Sequence, residues 1–542
     1  MKFSRLYFLV ALISLTNTIL AQQITLSKEV EHALTVIDTA QIKADIKYLA
    51  DDKLLGRMPG TPGYQMAVDY VVGRLKTLDV KPAGEDNTWL QQVRLRKAFV
   101  HDAVISLNNG QEKNTDIGPN SYIIYPNPAA PQINISAGLV FAGYGISEPG
   151  LGYDDYADAD VKGKIVLIIR GAPDKFSSSV AAHVMNSAHL LKVAAEHGAV
   201  GVIICSTDFT ALLPNLSRGI YSVLDKQGKV DVSGIYYSDK VSVFGIFSYN
   251  LFNMFLKDSG KSSQAIVAQL KTGQPGSFPI NSAINVSYTS TYQDIISYNV
   301  IGKIAGSDPK LRDTYVVHSA HLDHLGIGPP VQGDSIYNGA HDNASGVASV
   351  LAIANIYKHI KIKPKRSILL VLLTGEEMGD LGSGYFAKHP TVPVKSIVAD
   401  VNTDMPTIIA PLLSITALGA EHSSLSKQVD QAADYLGLSV EPDPEPKQAR
   451  FTRSDQYSFV LQGIPALHIK YGSKTVDGKN NMNDLAAAWR AKYYHKPQDD
   501  INGIFDFAAG KKYAQLNFLI GYLVAQDKVK PTWNAGDIFA GK

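Results

Sequence analysis

Cysteine is almost absent from this sequence, since the 542 residues contain a single one, Cys205. One cysteine cannot form an intramolecular disulfide, which excludes a disulfide-rich scaffold. Cys205 ends the apolar run at residues 202–205, and this run predicts a buried strand. Because apolar surroundings raise the pKa of a thiol, we expect a structural cysteine and not a catalytic nucleophile.

An excess of charge of one sign is also missing: 51 Lys and Arg residues stand against 50 Asp and Glu residues. A nucleic-acid partner usually leaves a basic excess, so we expect none. Hydrophobic residues make up 45% of the chain and charged residues 19%, which is typical of a globular protein. The length predicts more than one domain.

Long apolar runs are missing as well, because no later segment approaches the ~18 uninterrupted apolar residues that span a bilayer. At the N-terminus, Lys2 and Arg5 precede a short apolar run at residues 6–15, and the small residue Ala21 follows. This layout is typical of a secretory signal peptide. We predict that residues 1–21 are removed on export, which leaves a periplasmic or secreted bacterial protein without stable membrane insertion.

Two clusters of Pro and Gly divide the rest of the chain, at residues 125–131 and 273–279. Such clusters mark domain boundaries more often than the interior of an element. We therefore predict a β-rich domain at residues 130–280, inserted into a larger domain made of residues 22–129 and 281–542. Buried apolar strands alternate with helices from about residue 285, and this pattern predicts an α/β fold. The expected architecture is a mixed, mainly parallel sheet covered by helices on both faces.

Histidine and carboxylate side chains recur at the ends of the predicted strands, where an α/β sheet binds its ligands. The candidates are His321, Asp323, Asp342, Glu376, Glu377, Asp404 and His495. Imidazole and carboxylate ligands suit zinc, although the pattern leaves cobalt and manganese open. The neighbouring His318 and His324 are expected to be structural or to support the ligands.

Five of these positions allow more specific expectations. An Asp before a helix is most often an N-cap, and Asp342 could be only that. In extended backbone His321 and Asp323 share a face, so the Asp323 carboxylate could accept a hydrogen bond from the imidazole. Two adjacent glutamates at a strand end allow one to bind a metal while the other acts as a general base.

Taken together, the motifs around these residues resemble the M28 family of co-catalytic zinc peptidases. They include His-Leu-Asp at 321–323, the Gly-rich segment 339–346, Glu-Glu at 376–377, Asp-Met at 404–405 and Tyr-His-Lys-Pro at 494–497. Residues 55–63 match a Leu-x-Gly-Arg-x-x-Gly-Thr-x-Gly turn of the family, and the inserted segment is similar to a protease-associated (PA) domain. Two positions depart from the family pattern: His341 replaces an Asn or Asp, and Gln456 replaces a His.

The resemblance implies a zinc exopeptidase fold of the phosphorylase/hydrolase-like type and two Zn²⁺ per chain. One zinc would be held by His321 and Asp404, the other by Glu377 and His495, with Asp342 bridging the two. These roles come from the family motifs and not from spacing alone.

The resemblance also implies roles around the metals. Glu376 would be the general base on the metal-bridging water, and Tyr494 would donate a hydrogen bond to the developing oxyanion. Asp323 is also counted as a catalytic residue, because its carboxylate would support the imidazole of His321. The Asp342–Asn343 peptide bond is expected to be cis.

The predicted function is therefore that of an exported aminopeptidase that removes N-terminal residues from peptides. A metallocarboxypeptidase would instead need a cation for the substrate carboxylate, which Arg450 or Arg453 could supply. A glutaminyl cyclase with one zinc, or a binding protein without catalysis, are further alternatives. The sequence leaves open the preferred N-terminal residue, the role of the inserted domain and the oligomeric state.

Overall fold

A computed structural model describes residues 24–108, 115–236 and 239–541 of the chain. The predicted signal peptide at residues 1–21 lies outside the described residues. Among the helices in these ranges, none has the length and apolar character that crossing a membrane requires.

Seven of the helices begin where the sequence supplies a capping side chain. Thr61, for example, accepts a hydrogen bond from the Tyr64 N–H and is followed by Pro62. The helices are α1 Lys28–Thr35, α2 Thr39–Leu49, α3 Pro62–Thr77, α4 Ser178–Val184, α5 Ser187–Glu196, α6 Tyr249–Leu256, α7 Ser263–Lys271, α8 Ser345–Lys358, α9 Leu381–Lys388, α10 Ser426–Tyr435, α11 Gln456–Val460, α12 Met482–Tyr493 and α13 Phe507–Gln526.

The strands follow the apolar runs of the sequence and alternate with these helices in the C-terminal half. They are β1 Lys81–Pro82, β2 Leu90–Asn108, β3 Thr115–Asp116, β4 Tyr122–Ile124, β5 Gln132–Ala142, β6 Ser147–Glu148, β7 Tyr153–Asp154, β8 Ile165–Ile169, β9 Gly201–Cys205, β10 Ile220–Leu224, β11 Val230–Ser233, β12 Val243–Phe247, β13 Ser277–Ile304, β14 Tyr315–His321, β15 Gly326–Val331, β16 Asp334–Tyr337, β17 Ser367–Leu373, β18 Ile397–Asn402, β19 Ser414–Leu418, β20 Ser439–Val440 and β21 Ala466–Tyr471.

The larger sheet runs in the order β13–β17–β14–β18–β21–β19–β20, and β14 lies parallel to both β17 and β18. Successive side chains of the fully buried β17 point to opposite faces. Ile368, Leu370 and Leu372 pack into the core beneath α8 and α13. Leu369 and Val371 pack into the other core with residues of α9 and α11. The predicted α/β class, with helices on both faces of a mainly parallel sheet, is confirmed.

The inserted segment forms a second sheet in the order β13–β5–β8–β9–β12–β4. It also carries helices on both faces: α5 packs on one and α6 and α7 on the other. Cys205 ends the central strand β9 and is buried, and this burial raises the pKa of its thiol well above the usual value. The structural role predicted for this cysteine agrees with that environment.

A two-stranded ribbon joins the two sheets. β2 pairs antiparallel with β13 from Asn108 opposite Ala283 to Leu90 opposite Val300. The N-terminal part of β13 also pairs with β5, and its last residues pair with β17. Residues 90–108 form one long strand although their local sequence pattern contains breaks. Because β13 pairs with β2 along this whole length, the extended backbone of β2 continues without interruption.

Candidate metal centre

The sheet itself brings the predicted ligands together. His321 ends β14, the two glutamates follow β17, and Asp404 lies two residues after β18. These three strands are parallel neighbours, so their carboxyl ends lie side by side. Asp342 enters from the turn before α8, where the Asp499 carboxylate accepts hydrogen bonds from the backbone N–H groups of residues 341 and 342.

The five predicted ligands form two groups that share Asp342. His321 Nε2 lies 3.3 Å from Asp342 Oδ1 and 3.3 Å from Asp404 Oδ1. On the other side, His495 Nε2 lies 3.2 Å from Asp342 Oδ2 and 3.1 Å from Glu377 Oε2. Asp342 therefore presents one oxygen to each histidine. It makes no side-chain cap to the following helix, which removes the N-cap alternative.

The donor atoms of both groups fit a metal ion. Zinc ligands at ~2.0–2.1 Å in a tetrahedral arrangement lie about 3.3 Å apart, which is close to the separations between these side chains. The charge of the two groups also favours a metal ion. Although burial favours the protonated form of Asp342, its hydrogen bonds with His321 and His495 bring its pKa well below the usual range. A buried, ionised carboxylate between two imidazoles is a site that favours cations.

A second histidine also faces Glu377. His324 Nδ1 lies 2.6 Å from Glu377 Oε1, and the donor atoms of His324, Asp342 and Glu377 all lie within 4.8 Å of one another. His495 lies within 3.2 Å of both carboxylates, so its position is the more compact one for a ligand. His324 is fully buried and fits the supporting role expected for it.

Glu376 lies beside the two groups without belonging to either. Its Oε2 is 4.0 Å from His321 Nε2, and its side chain is 14% exposed. Burial raises the pKa of Glu376 well above its usual value; His321 opposes this shift, and the Asp404 and Asp380 carboxylates add to it. A carboxylate in this position accepts a proton more readily than an exposed glutamate does.

Asp323 supports the glutamates more directly than it supports the histidine. Its two carboxylate oxygens accept hydrogen bonds from the backbone N–H groups of Glu376, at 3.2 Å, and Glu377, at 3.4 Å. The expected carboxylate–imidazole hydrogen bond is not formed: His321 Nδ1 is 4.0 Å from Asp323 Oδ1 but 3.3 Å from the Asp323 carbonyl oxygen. The backbone carbonyl takes the place of the carboxylate because the latter is held by the glutamate loop.

Two further expectations concern residues at the edge of the site. The ring of Tyr494 stacks on that of His495 with centroids 3.8 Å apart, and burial raises the pKa of its hydroxyl. The Asp342–Asn343 peptide bond is cis, as predicted.

The two positions that depart from the family pattern have partners of their own. The His341 ring stacks on Phe505 at 4.1 Å and lies 3.0 Å from the Ile504 carbonyl oxygen, and burial lowers its pKa to about 4. Gln456 accepts a hydrogen bond from Asn402. Both side chains therefore serve the packing around the site.

Arg57 is a residue whose role the sequence did not reveal. It is fully buried and donates hydrogen bonds to the carbonyl oxygens of Leu49, Leu322, Asn338 and Gly339. Leu322 follows His321, and Gly339 lies three residues before Asp342, so Arg57 fastens both ligand-bearing loops. The motif at residues 55–63 contained Arg57, but three of its four partners lie 265 to 282 residues away in the sequence.

The backbone conformation at position 56 explains why this turn contains a glycine there. Its φ is +68°, and a Cβ there would lie 2.5 Å from the Tyr337 carbonyl oxygen. Only glycine allows the backbone to adopt this conformation so close to another chain segment. The close approach is what brings the Arg57 guanidinium to the loops.

Two clefts border the centre. One is lined by Asp404, Tyr494, Arg450, Arg453 and Lys470. Arg450 is paired with carboxylates of the 443–445 loop, whereas Arg453 donates to a backbone carbonyl, that of Gln448.

The other cleft is formed by three parts of the chain. Met58 comes from the N-terminal segment, Arg218 and Tyr221 come from the inserted unit, and His324 and Glu377 come from the main domain. The inserted unit therefore borders the centre without supplying any of the five predicted ligands.

The histidine–carboxylate groups thus lie at the carboxyl edge of a mainly parallel α/β sheet, where such sheets bind their ligands. Residues 299–516 match the sequence model of peptidase family M28, and residues 135–240 match that of the PA domain. The resemblance to the M28 peptidases and to the PA domain, drawn from the sequence motifs, is therefore confirmed.

Several known proteins are similar to parts of the chain. A probable leucine aminopeptidase 2 of Aspergillus oryzae is 24% identical over 304 residues, which cover 53% of this chain and 56% of that protein. Carboxypeptidase Q of Rattus norvegicus is 34% identical over 221 residues, covering 38% and 42%. The match thus spans about half the length of these relatives. An aminopeptidase structure from Aneurinibacillus sp. strain AM-1 has a TM-score of 0.47 at 18% identity, covering 91% of this chain and 95% of that chain.

Proposed function

We propose that this protein is an exported aminopeptidase that binds two Zn²⁺ and removes N-terminal residues from peptides. The observation that carries the proposal is the position of Asp342 between two histidines, with one oxygen toward each. Because Asp342 belongs to both groups, its carboxylate can bind two cations, one through each oxygen. The M28 match supports the same conclusion.

In this proposal His321 and Asp404 hold one zinc, Glu377 and His495 hold the other, and Asp342 bridges them. When bound, the two cations would polarise the scissile carbonyl and lower the pKa of water. His324 stays a partner of Glu377. Exchange of either histidine for Gln distinguishes the roles: His495→Gln should lose zinc, whereas His324→Gln should keep it.

The protein's own side chains then complete the hydrolysis. The oxygen of water attacks the carbonyl carbon and Glu376 accepts its proton. When the C–N bond breaks, Glu376 delivers this proton to the leaving amine. Because burial raises the pKa of Tyr494, its hydroxyl remains protonated at neutral pH and can donate a hydrogen bond to the oxyanion.

A panel of dipeptides tests the proposal. A free dipeptide, its N-acetylated form and its C-terminal amide are incubated with the full chain, with and without a chelator. An aminopeptidase cleaves the free and amidated peptides and spares the acetylated one, and the chelator stops turnover. Cleavage of the acetylated peptide alone would contradict the proposal.

A carboxypeptidase is the second candidate, and the cleft beside Asp404 is the observation that favours it. Arg453 lines this cleft and its guanidinium has no carboxylate partner among the described ion pairs. It could bind the C-terminal carboxylate of a substrate. If this candidate is right, the acetylated dipeptide is cleaved and the amide is not, and Arg453→Gln raises KM. The exposed Lys447→Gln is the matched control.

A further inference from the structure

The inserted unit meets the main domain through the short helix α4. Ser179 Oγ lies 2.6 Å from His422 Nε2. His183 Nδ1 lies 2.5 Å from the Tyr457 hydroxyl, and the His183 ring packs edge-on against Phe539. Two side chains of α4 therefore make polar contacts with the main domain.

His183 also belongs to a group on the inserted unit. Glu148 ends β6, His183 lies near the end of α4, and His189 lies in the first turn of α5. One donor atom from each of these side chains lies within 4.8 Å of the other two. The centroids of the two imidazole rings are 4.3 Å apart.

The distance between two donor atoms of this group is similar to those of the peptidase centre. His189 Nε2 is 3.5 Å from Glu148 Oε1, against 3.1–3.3 Å between the paired donors of the peptidase centre. Ligands of a tetrahedral zinc ion lie about 3.3 Å apart. Two imidazoles and one carboxylate also suit a borderline cation such as zinc.

A buried polar atom points into the same place. His189 Nε2 makes no hydrogen bond within the described part of the chain, although it is shielded from solvent. Buried polar atoms are nearly always paired, so such an atom suggests a missing partner. The hydrogen bond between His183 and Tyr457 fixes the orientation of the second imidazole, as outer partners do at metal sites. Side-chain exposures of 22% for Glu148 and 11% for His189 leave a path for an ion and for water.

We propose that Glu148, His183 and His189 bind a divalent cation of the zinc class, separate from the peptidase centre. The ion would hold β6, α4 and α5 together at the contact between the inserted unit and the main domain. Its role is structural, since no cleft residue of the peptidase centre belongs to the group. The proposal does not depend on the proposed function.

Metal analysis of the full chain tests it. Zinc per chain is measured after dialysis for the wild type, Glu148→Gln and His189→Gln, with Glu196→Gln at the exposed end of α5 as the matched control. The Glu148 and His189 variants should contain one zinc fewer than the wild type and the control. They should retain hydrolysis of any peptide that the wild type cleaves.

A second measurement uses the wild type alone, in case a variant fails to fold. Diethyl pyrocarbonate modifies accessible histidines, and peptide mass spectrometry reports the extent at His189 with and without added zinc. Zinc should slow this modification at least tenfold, and the exposed His359 should be unaffected. Equal zinc content in all four proteins, or equal modification of His189 with and without zinc, would overturn the proposal.

Discussion

Glu376 and Glu377 are adjacent in the sequence but have different surroundings. Glu377 lies 3.1 Å from His495, whereas Glu376 lies 4.0 Å from His321 and outside both groups. Glu376→Gln should therefore lower kcat by about 10²–10⁴-fold with zinc content unchanged, because the amide cannot accept a proton. Zinc content and peptide hydrolysis are measured on the same preparations.

Glu377→Gln is the matched control for this experiment. It should lose zinc as well as rate, because it removes a proposed ligand. The opposite pattern, with zinc lost only from the Glu376 variant, would exchange the two roles.

Arg57 supports the site through backbone carbonyls alone. Arg57→Lys should lower the free energy of unfolding by about 3 kcal/mol, because one ammonium cannot replace a guanidinium that satisfies four buried acceptors. It should also weaken zinc binding, since the loops of His321 and Asp342 lose their common anchor. Denaturant unfolding and a zinc titration measure the two effects. Arg96→Lys, in a more exposed pair with Asp294, should change both by much less; a similar change there would contradict this role.

His318 lies on β14, three residues before His321, and its burial makes the stability of the protein depend on pH. Burial lowers its pKa to about 3, against an ordinary value of 6.5. Because the unfolded chain binds a proton more readily, His318 costs stability as the pH falls from about 6.5 towards 3. His318→Leu should reduce the slope of unfolding free energy against pH in this window by up to about 1.4 kcal/mol per unit.

The measurement is denaturant unfolding at several pH values between 4 and 7. His359→Leu serves as the control because this histidine is exposed. An unchanged slope in the His318 variant would mean that the imidazole accepts its proton without unfolding.

At the residue scale, the sequence predicted the candidates that lie at strand ends. His321, Glu377 and Asp404 could be found because parallel strands bring their carboxyl ends together whatever the rest of the fold. The contacts of Arg57 and Asp499 could not, since they join segments about 160 to 280 residues apart. Whether the five candidates bind metal remains a prediction.

At the scale of elements, α13 packs closely on the sheet through a glycine. A Cβ at Gly521 would lie 2.4 Å from His318 Nε2 on β14. Gly521→Ala should lower the free energy of unfolding by about 1–2 kcal/mol, because overpacking exceeds the gain of ~1 kcal/mol in helix propensity.

Gly510→Ala on the same helix is the matched control in denaturant unfolding. Its Cβ would meet the flexible end of the Ile408 side chain at 3.0 Å, so the loss should be smaller. Stabilisation by Gly521→Ala would show that the helix can move away from the sheet.

The sequence predicted the alternation of strands and helices in the C-terminal half because the apolar periods there are strong. The stretch of residues 89–107 is different. Its local pattern contains breaks, and only pairing with the distant β13 makes it one strand. The local sequence does not predict long-range pairing of this kind.

At the scale of the whole molecule, the inserted unit reaches the rim of the centre through the β10–β11 hairpin. β10 pairs with β2, and Arg218, two residues before β10, lines the cleft beside Glu377. Arg218→Ala should change KM for peptide substrates by about 3- to 30-fold while zinc content stays constant, because it alters the cleft and no ligand.

Kinetics on peptides of different length and charge provide the measurement. Lys229→Ala, exposed on the same hairpin but outside the cleft, should leave KM unchanged. Equal kinetics in both variants would restrict the inserted unit to a structural role.

The single thiol of Cys205 is a natural probe for local opening of the inserted unit. Cys205 ends the central strand β9 of the inserted sheet and is buried, so a thiol reagent can reach it only when that sheet opens. The rate at which Cys205 reacts with the reagent therefore reports how often the inserted sheet opens. No engineered probe is needed, and the main domain contains no cysteine that would compete for the reagent.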